Sequence, residues 1–208
     1  MRRAATVAGM QRELVERAID GDHEAFSMLV DRHKDGLVNY LTHLWGERDR
    51  AEEFAQEAFL RLYVHARRYD ERESLAPYLY RIATNLMRSE FRRLRRWRLL
   101  VPMMLPEPFD RDMPAHTLLQ NEAGEQVRRA IEELPIAFRA PLVLYEIEGW
   151  SYREIASSLG CREGTVKSRI ARARDRLRAL LAPYWNGGPD EQRERRAAPA
   201  LAAKGKSF

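Results

Sequence analysis

Residues Gly149 to Leu181 read GWSYREIASSLGCREGTVKSRIARARDRLRALL, and they are the most informative part of the chain. Ser151 and Glu154 stand three residues apart in front of an apolar residue, which is the pattern of a capping box at a helix start. Gly160 predicts the end of that helix, because glycine readily adopts the left-handed conformation of a helix C-terminus. The stretch therefore opens with a short helix and a tight turn.

A second helix, rich in arginine, is predicted directly after the turn. One of its faces is an apolar stripe at helical spacing, formed by Val166, Ile170, Ala173 and Leu177. The other faces are basic, and between Gly164 and Leu181 only Asp175 balances them. Helix, turn and basic helix are typical of a helix-turn-helix, whose second helix lies in the DNA major groove. The alternative is an ordinary solvated helical hairpin, which the shortage of acids disfavours.

Composition favours a globular protein with a polyanionic partner. The chain has 208 residues, of which 45% are hydrophobic and 32% charged, with a net charge of +5. A basic balance favours nucleic acid or an anionic membrane surface as the partner. No apolar run reaches the roughly 18 to 20 residues of a membrane span, and the N-terminus lacks the pattern of a secretion signal. The single cysteine, Cys161, suits a reducing compartment, so we expect a cytoplasmic protein without membrane insertion.

Helical periodicity dominates the chain, and the sequence contains no alternating strand pattern of useful length, so we predict an all-α fold. One helical domain covers residues 22–98 and a second, with the helix-turn-helix, covers 118–184. The segment 99–117 is rich in proline and predicts a flexible, extended linker. Residues 1–21 form an N-terminal extension, and the composition of 185–208 predicts a disordered tail.

Local patterns predict the helices inside each domain. In the first domain we expect a helix from about Arg50 to Tyr69. In the second domain Val127, Ile131 and Leu134 are expected to line the buried side of one helix. A further helix runs from about Ala137 to Ile147, and Pro141 either kinks this helix or lies in its first turns.

A second basic element lies at the end of the first domain. Seven arginines between Arg81 and Arg98 face the single acid Glu90, and aromatic residues interleave with them. Arginine neutralises phosphates, and exposed aromatic rings stack on unpaired bases. Tyr80 and Phe91 have a second interpretation, as core residues. Two separated basic elements indicate two contacts along one nucleic acid.

The helix around Phe54 has a surface of the opposite sign. If Phe54 and Ala58 are buried, the helix turns outward an acidic face that consists of Glu53, Gln56, Glu57 and Leu60. An acidic face with an apolar residue in it is not attracted to DNA. We interpret it as a protein-docking surface, and a plain solvated face is the alternative.

These elements, in this order, resemble the extracytoplasmic-function sigma factors, the compact two-domain branch of the bacterial sigma family. The resemblance covers about Asp22 to Ala182 and rests on the segments AEEFAQEAFLRLY, YLYRIATN and EGWSYREIASSLGCREGTVKSRIARARDRLR. GTVKSR after a short helix and turn is the most specific of these. The resemblance implies a factor that binds core RNA polymerase, directs it to promoters and helps to open the minus-ten region.

The resemblance also implies a role for each surface. The acidic face would bind the clamp coiled coil of the polymerase β′ subunit, and the β flap would be a second contact. The promoter minus-ten element would be bound by a set of residues in the first domain (the minus-ten set): Tyr78, Arg81, Asn85 and Arg88. The minus-thirty-five element would be bound by a set in the second helix of the helix-turn-helix (the minus-thirty-five set): Thr165, Lys167, Ser168, Arg169, Ala171 and Arg172. Family members are commonly held by an anti-sigma partner.

Four residues depart from the family pattern. Tyr78 stands where the family commonly has tryptophan, which keeps a stacking ring but reduces its area. Arg162 replaces a small polar residue, which weakens the cap of the recognition helix by roughly 1 kcal/mol unless another group substitutes. Ala171 can contact a thymine methyl group but cannot read a hydrogen-bonding pattern. Cys161 is interpreted as a small buried hydrophobic residue, with a redox switch as the alternative.

Two other classes of function compete with this interpretation. An enzyme would need a chemical site, but the five histidines form no metal-ligand motif, and phosphate-loop and dinucleotide-binding patterns are lacking. We therefore expect no catalysis, no metal and no cofactor. The second competitor is a helix-turn-helix regulator that acts independently of polymerase, which leaves the acidic face and the LYRIA segment unexplained.

Overall fold

The computed structural model describes residues 13–66, 69, 74–100 and 122–185. Within these residues the chain forms eight α-helices and no strand, which confirms the predicted all-α fold. Apart from its first two residues, the predicted linker 99–117 lies outside the described residues. The same is true of the predicted tail, apart from Trp185, and of the first twelve residues of the chain.

Four helices make up the N-terminal half of the molecule. They are α1 at residues 13–19, α2 at His23–Trp45, α3 at Arg48–Val64 and α4 at Leu75–Leu100. Asp22 caps α2, because its carboxylate accepts hydrogen bonds from the backbone N–H groups of Glu24 and Ala25, both at 3.0 Å. Gly46 ends α2 with φ at 100°, a conformation that other residues rarely adopt.

The core of this half lies between α2, α3 and α4. Leu37, Leu41 and Leu44 of α2 are fully buried in it. The ring of Trp45 lies 5.3 Å from that of Phe54 and closes the core between α2 and α3. Helix α1 belongs to the same core, because its Leu14, Val15 and Ala18 are buried there. The N-terminal extension is therefore a packed element over its described part.

The predicted end of α3 differs from the structure. Helix α3 ends at Val64 rather than at Tyr69, and the His65 N–H closes its last turn by bonding to the Arg61 carbonyl. Tyr69 lies beyond the helix, where its ring packs edge-on against Tyr78 at 5.2 Å. The chain has to leave the helix early for this aromatic contact to form.

The C-terminal half contains the other four helices. They are α5 at Glu122–Glu133, α6 at Ile136–Glu146, α7 at Tyr152–Leu159 and α8 at Glu163–Trp185. Ser151 and Glu154 form the predicted capping box at the start of α7. Gly160 ends α7 with φ at 60°, as predicted. The predicted stripe on α8 is buried at Val166, Ile170 and Ala173, so α7 and α8 form the helix-turn-helix.

The prediction that Val127 lies on the buried side of its helix is wrong. Leu134 is buried and Ile131 is partly buried as expected, but Val127 is exposed. Helix α5 instead buries the small side chain of Ala130. Pro141 is the sixth of the eleven residues of α6, so it lies inside this helix.

The two halves pack against each other. Helix α7 contacts α4, and α2 contacts both α5 and α6. Buried residues from both halves form one continuous hydrophobic cluster. Patterns within single helices gave no indication of this contact, because they do not show which partner covers an apolar face.

Arg139 joins the halves through backbone carbonyl groups. Its side chain is only 6% exposed, and its guanidinium donates to the carbonyl oxygens of Leu134, at 2.9 Å, and of Glu132. A third acceptor, the Leu44 carbonyl at 2.5 Å, lies near the C-terminal end of α2 in the other half. A buried arginine is tolerated when its donors are satisfied, and here the acceptors are helix-end carbonyls that would otherwise be unpaired.

Replacement of Arg139 by methionine keeps much of its volume but removes these donors. We expect Arg139→Met to lower the free energy of unfolding by about 2 to 4 kcal/mol, because buried carbonyls lose a charged partner. Urea denaturation followed by circular dichroism measures this. Arg129→Ala is the control, since Arg129 makes only an exposed ion pair with Glu125 and should change stability by less than about 0.5 kcal/mol. Equal urea midpoints for the two variants would contradict the role of Arg139.

Candidate nucleic-acid interface

The first half of α8 presents a basic surface to solvent. Lys167, Ser168, Ala171 and Arg172 are exposed and lie opposite the buried stripe of this helix. Within the described residues neither Lys167 nor Arg172 has a carboxylate partner, so both charges are available to an anion. Further along α8, Arg174 is paired with Glu146 at 2.6 Å and Arg178 with Asp175 at 2.9 Å. The first half of α8 therefore carries two exposed cations that no described carboxylate neutralises.

A stack of two tyrosines lies under this surface. The rings of Tyr145 and Tyr152 are nearly parallel, at an interplanar angle of 3° and a centroid distance of 4.8 Å. The Lys167 ammonium lies 5.4 Å from the Tyr152 centroid, and the Arg174 guanidinium lies 5.4 Å from that of Tyr145. Cation–π contacts of this kind restrict a flexible side chain. Tyr145 and Tyr152 therefore position Lys167, a role that the sequence analysis missed.

The turn before α8 shows how this helix begins. The Arg162 carbonyl accepts hydrogen bonds from the N–H groups of Thr165, at 2.9 Å, and Val166, at 3.2 Å. These backbone hydrogen bonds form the first turn of α8. Cys161 is half-buried against the core, and its sulfur lies 3.9 Å from the Arg169 guanidinium. Arg169 and Thr165 are thus less exposed than the other four members of the minus-thirty-five set.

The minus-ten set shares one face of α4. Tyr78 is half-buried, and the Arg81 guanidinium lies 5.0 Å from the centroid of its ring. Asn85 follows one turn later and is exposed, so its amide is free to meet a ligand. Arg88 is half-buried, and burial together with the positive charges of Arg169 and Arg92 lowers its pKa.

The aromatic residues near this face divide into two groups. Tyr80 is buried between Tyr40 and Trp150, and Phe91 packs on Trp45 at 5.0 Å. The core interpretation is therefore correct for Tyr80, and Phe91 is packed against the core. Their aromatic character alone could not decide between a core and a stacking role.

The acidic face on α3 is exposed at Glu53, Gln56 and Leu60 and partly exposed at Glu57. The Leu60 side chain is 56% exposed, and the same surface continues through Tyr63 and Val64, which are also exposed. These two apolar residues were not predicted to belong to the face, although they follow Leu60 at spacings of three and four. Glu53 and Glu57 are paired with Arg50 and Arg61 of the same helix, so the six residues form a charged surface with an apolar margin, which is typical of a protein-docking site.

Nothing in the described part of the chain could span a bilayer as a helix, since none of its long helices is sufficiently apolar.

Models of two protein families match this chain. The model described as sigma-70 region 2 matches residues 29–98, which include the acidic face and the minus-ten set. The model described as sigma-70 region 4 matches residues 124–177, which include the helix-turn-helix.

Several characterised proteins are similar over most of the chain. The sigma-H factor of Pseudomonas aeruginosa is 32% identical over 83% of this chain and 94% of its own length. The sigma factor SigW of Bacillus subtilis is 32% identical over 83% of this chain and 97% of its own length. SigE of Mycolicibacterium smegmatis is 37% identical over 75% of this chain, which spans only 61% of that longer protein.

Among solved structures, CnrH in complex with the cytosolic domain of CnrY aligns with a TM-score of 0.62 and 27% identity over 83% of this chain and 97% of its own. RpoE of Bartonella quintana, solved with the anti-sigma factor NepR, has the same fold, with a TM-score of 0.61 and 24% identity over 76% of this chain and 96% of its own. The family models and the relatives agree with the helix-turn-helix and the second basic element seen in the structure. The chain therefore belongs to the extracytoplasmic-function group of the sigma-70 family of RNA polymerase sigma factors.

Proposed function

We propose that this chain binds core RNA polymerase in the cytoplasm and directs it to promoters through two DNA contacts, one on α4 and one on α8. The observation that carries the proposal is the division of its surface charge. An uncompensated basic face on α8 and a basic helix α4 suit phosphates, whereas the acidic face on α3 suits a protein. No chemical step takes place on this chain, because the polymerase forms the RNA bonds.

The minus-thirty-five set reads duplex DNA in this proposal. Lys167 and Arg172 have the donors that bind the O6 and N7 acceptors of guanine, and Ala171 suits a thymine methyl group. Ser168 donates to the Thr165 carbonyl at 3.0 Å, which leaves its lone pairs to accept from a base. Arg169 and Thr165 contribute from the edge of the same surface. Positioning of Lys167 by the tyrosine stack lowers the entropy that it loses on binding.

The minus-ten set captures a base that strand opening exposes. The ring of Tyr78 is held by Tyr69 and Arg81, so a stacking surface is formed before DNA arrives. The amide of Asn85 has both a donor and an acceptor for a base edge. A base bound there favours the melted state, since a closed duplex cannot offer it. Arg81 and Arg88 add charge for the adjacent phosphates.

The acidic face is the docking surface for the clamp coiled coil of the polymerase β′ subunit, and Leu60 gives it an apolar centre. The C-terminal half makes a second contact with the β flap. We also propose that an anti-sigma protein restrains this factor, because RpoE of Bartonella quintana, which has the same fold, was solved with the anti-sigma factor NepR.

A regulator that acts without polymerase is the alternative. It would use the helix-turn-helix in the same way. It would not need the acidic face on α3, and nothing in it would explain why residues 29–98 match sigma-70 region 2. We therefore favour the polymerase-dependent function.

Removal of the charged members of the minus-thirty-five set tests the DNA contact. We expect Lys167→Ala combined with Arg172→Ala to weaken promoter binding by the holoenzyme at least about 30-fold, because each of the two base contacts contributes roughly 1 to 3 kcal/mol and 1.4 kcal/mol corresponds to tenfold. Binding to core polymerase should not change. Fluorescence anisotropy measures both, on a promoter selected from a random library by the unmodified holoenzyme.

The matched control removes two arginines that are engaged in exposed ion pairs of the same half, Arg129→Ala with Arg178→Ala. It has the same change of charge but should retain promoter binding within about threefold. Equal losses in both double variants would show that the effect is one of net charge and would refute the assigned face.

Charge reversal of the acidic face tests the docking contact. We expect Glu53→Lys with Glu57→Lys to abolish binding to core polymerase while the helical content stays unchanged, because the residues are solvent-facing. Surface plasmon resonance with immobilised core enzyme measures the affinity. The control is Asp31→Lys with Asp35→Lys, an exposed pair at the same spacing on α2. If the two double variants bind core enzyme equally well, the docking surface is not on α3.

A further inference from the structure

The end of α6 and the start of α7 meet under the basic surface of α8. Tyr145 is the last residue but one of α6, and Tyr152 is the first residue of α7. Hydrogen bonds fix the loop between them, because the Trp150 N–H donates to the Leu144 carbonyl at 2.9 Å and Ser151 belongs to the capping box. The backbone that carries the two stacked rings is therefore held in place independently of α8.

A single row of contacts leads from an ion pair to an exposed ammonium group. Glu146 accepts hydrogen bonds from the Nε and Nη2 atoms of Arg174, at 2.9 and 2.6 Å. The Arg174 guanidinium lies 5.4 Å from the Tyr145 centroid, and the ring of Tyr145 is stacked on that of Tyr152 at 4.8 Å. Lys167 ends the row, with its ammonium 5.4 Å from the Tyr152 centroid. Of these two cations, only Arg174 has a carboxylate partner in the part of the chain that the structure describes.

A lysine on the surface of a DNA-binding helix can bind DNA in two ways. Its ammonium is a compact, strongly hydrated charge on a flexible stem, which suits any phosphate. It reads sequence only when it is held near the O6 and N7 acceptors of a guanine. A side chain that moves freely is favoured to contact phosphates, because they surround every base edge in the groove. Contact with the face of Tyr152 restricts the Lys167 side chain and so bears on this choice.

We propose that the tyrosine stack determines specificity, because it makes Lys167 a reader of guanine in the minus-thirty-five element rather than a contact to DNA phosphates. Tyr145 and Tyr152 are positioning residues that act through Lys167. Ala171 lies one turn further along α8 and has no side-chain donor, so the held ammonium supplies the donor on this edge of the surface. The inference rests on the proposed promoter function and deepens it by naming the base that Lys167 binds.

The strength of the contacts sets the size of the expected effect. A cation–π contact at an exposed site changes an equilibrium by roughly two- to fivefold. A good contact to a guanine edge discriminates against other bases by at least about fivefold. Loss of the Tyr152 ring should therefore reduce a guanine preference of about tenfold to about threefold.

Promoter selection by the holoenzyme tests this inference, with a duplex library that is randomised over the minus-thirty-five element. We expect the unmodified holoenzyme to prefer guanine about tenfold at one position, and Lys167→Ala to abolish this preference. Tyr152→Leu should lower it to about threefold although Lys167 is present, whereas Tyr152→Phe should retain it because the ring face is kept. Unchanged preferences at the other positions will show that these variants are folded.

Phe138→Leu is the matched control. The Phe138 ring makes the same kind of contact with α8, since the Arg176 guanidinium lies 4.9 Å from its centroid, but Arg176 is not in the minus-thirty-five set. This variant should therefore retain the base preference at every position.

The salt dependence of promoter binding gives a second measurement. In the Tyr152→Leu variant we expect Lys167 to contact a phosphate. Addition of Lys167→Ala should then weaken binding about equally on all sequences and lower the salt slope by about one.

An unchanged guanine preference in Tyr152→Leu would overturn the inference. An equal loss in Tyr152→Phe or Phe138→Leu would overturn it as well, and so would a library in which no guanine preference depends on Lys167. A holoenzyme that selects no promoter would instead contradict the proposed function, so the two failures are distinguishable.

Discussion

Helix α4 has to satisfy three different surroundings at once, and the rest of the structure depends on this constraint. Leu79, Ala83 and Met87 point into the core of the N-terminal half and are fully buried. Tyr80 points towards the C-terminal half and meets Trp150. Tyr78, with Arg81 and Asn85 along the helix, lies on the side that remains accessible. Helix α4 therefore contributes to the core of the N-terminal half, to the contact between the halves and to a proposed DNA site.

The arginines of this chain have different roles, which can be distinguished by the groups that they contact. Arg139 is buried and donates to carbonyl groups, so it is structural. Arg128 is paired with both Glu125 and Glu132, and Arg129 with Glu125. The two arginines lower the pKa of Glu125 to about 2 through hydrogen bonds and charge. Lys167 and Arg172 on α8 are exposed and have no carboxylate partner among the residues that the structure describes. Their charge is therefore available to a polyanion.

Much of the fold could be predicted from short-range patterns. The capping box at Ser151, the turn at Gly160 and the stripe along α8 depend on neighbouring residues, so the sequence alone specifies them. The early end of α3 and the exposure of Val127 depend on what each helix packs against. Hydrophobic periodicity does not show which element that is. The family resemblance assigned roles to exposed residues but not to Tyr145 and Tyr152, whose importance arises from contact with Lys167 across the fold. The sequence does not distinguish Trp150 from the other aromatic residues. Its importance follows from its ring contact with Tyr80 in the structure.

The proposed function requires core RNA polymerase and the basic face of α8 to act together. Run-off transcription from a promoter library measures this most directly, with the unmodified chain, with core polymerase alone and with the Lys167→Ala, Arg172→Ala double variant. We expect transcripts from particular promoters only when the unmodified chain and core polymerase are both present, because the exposed cations on α8 bind duplex DNA. Equal promoter selection by core polymerase alone or by the double variant would contradict this function.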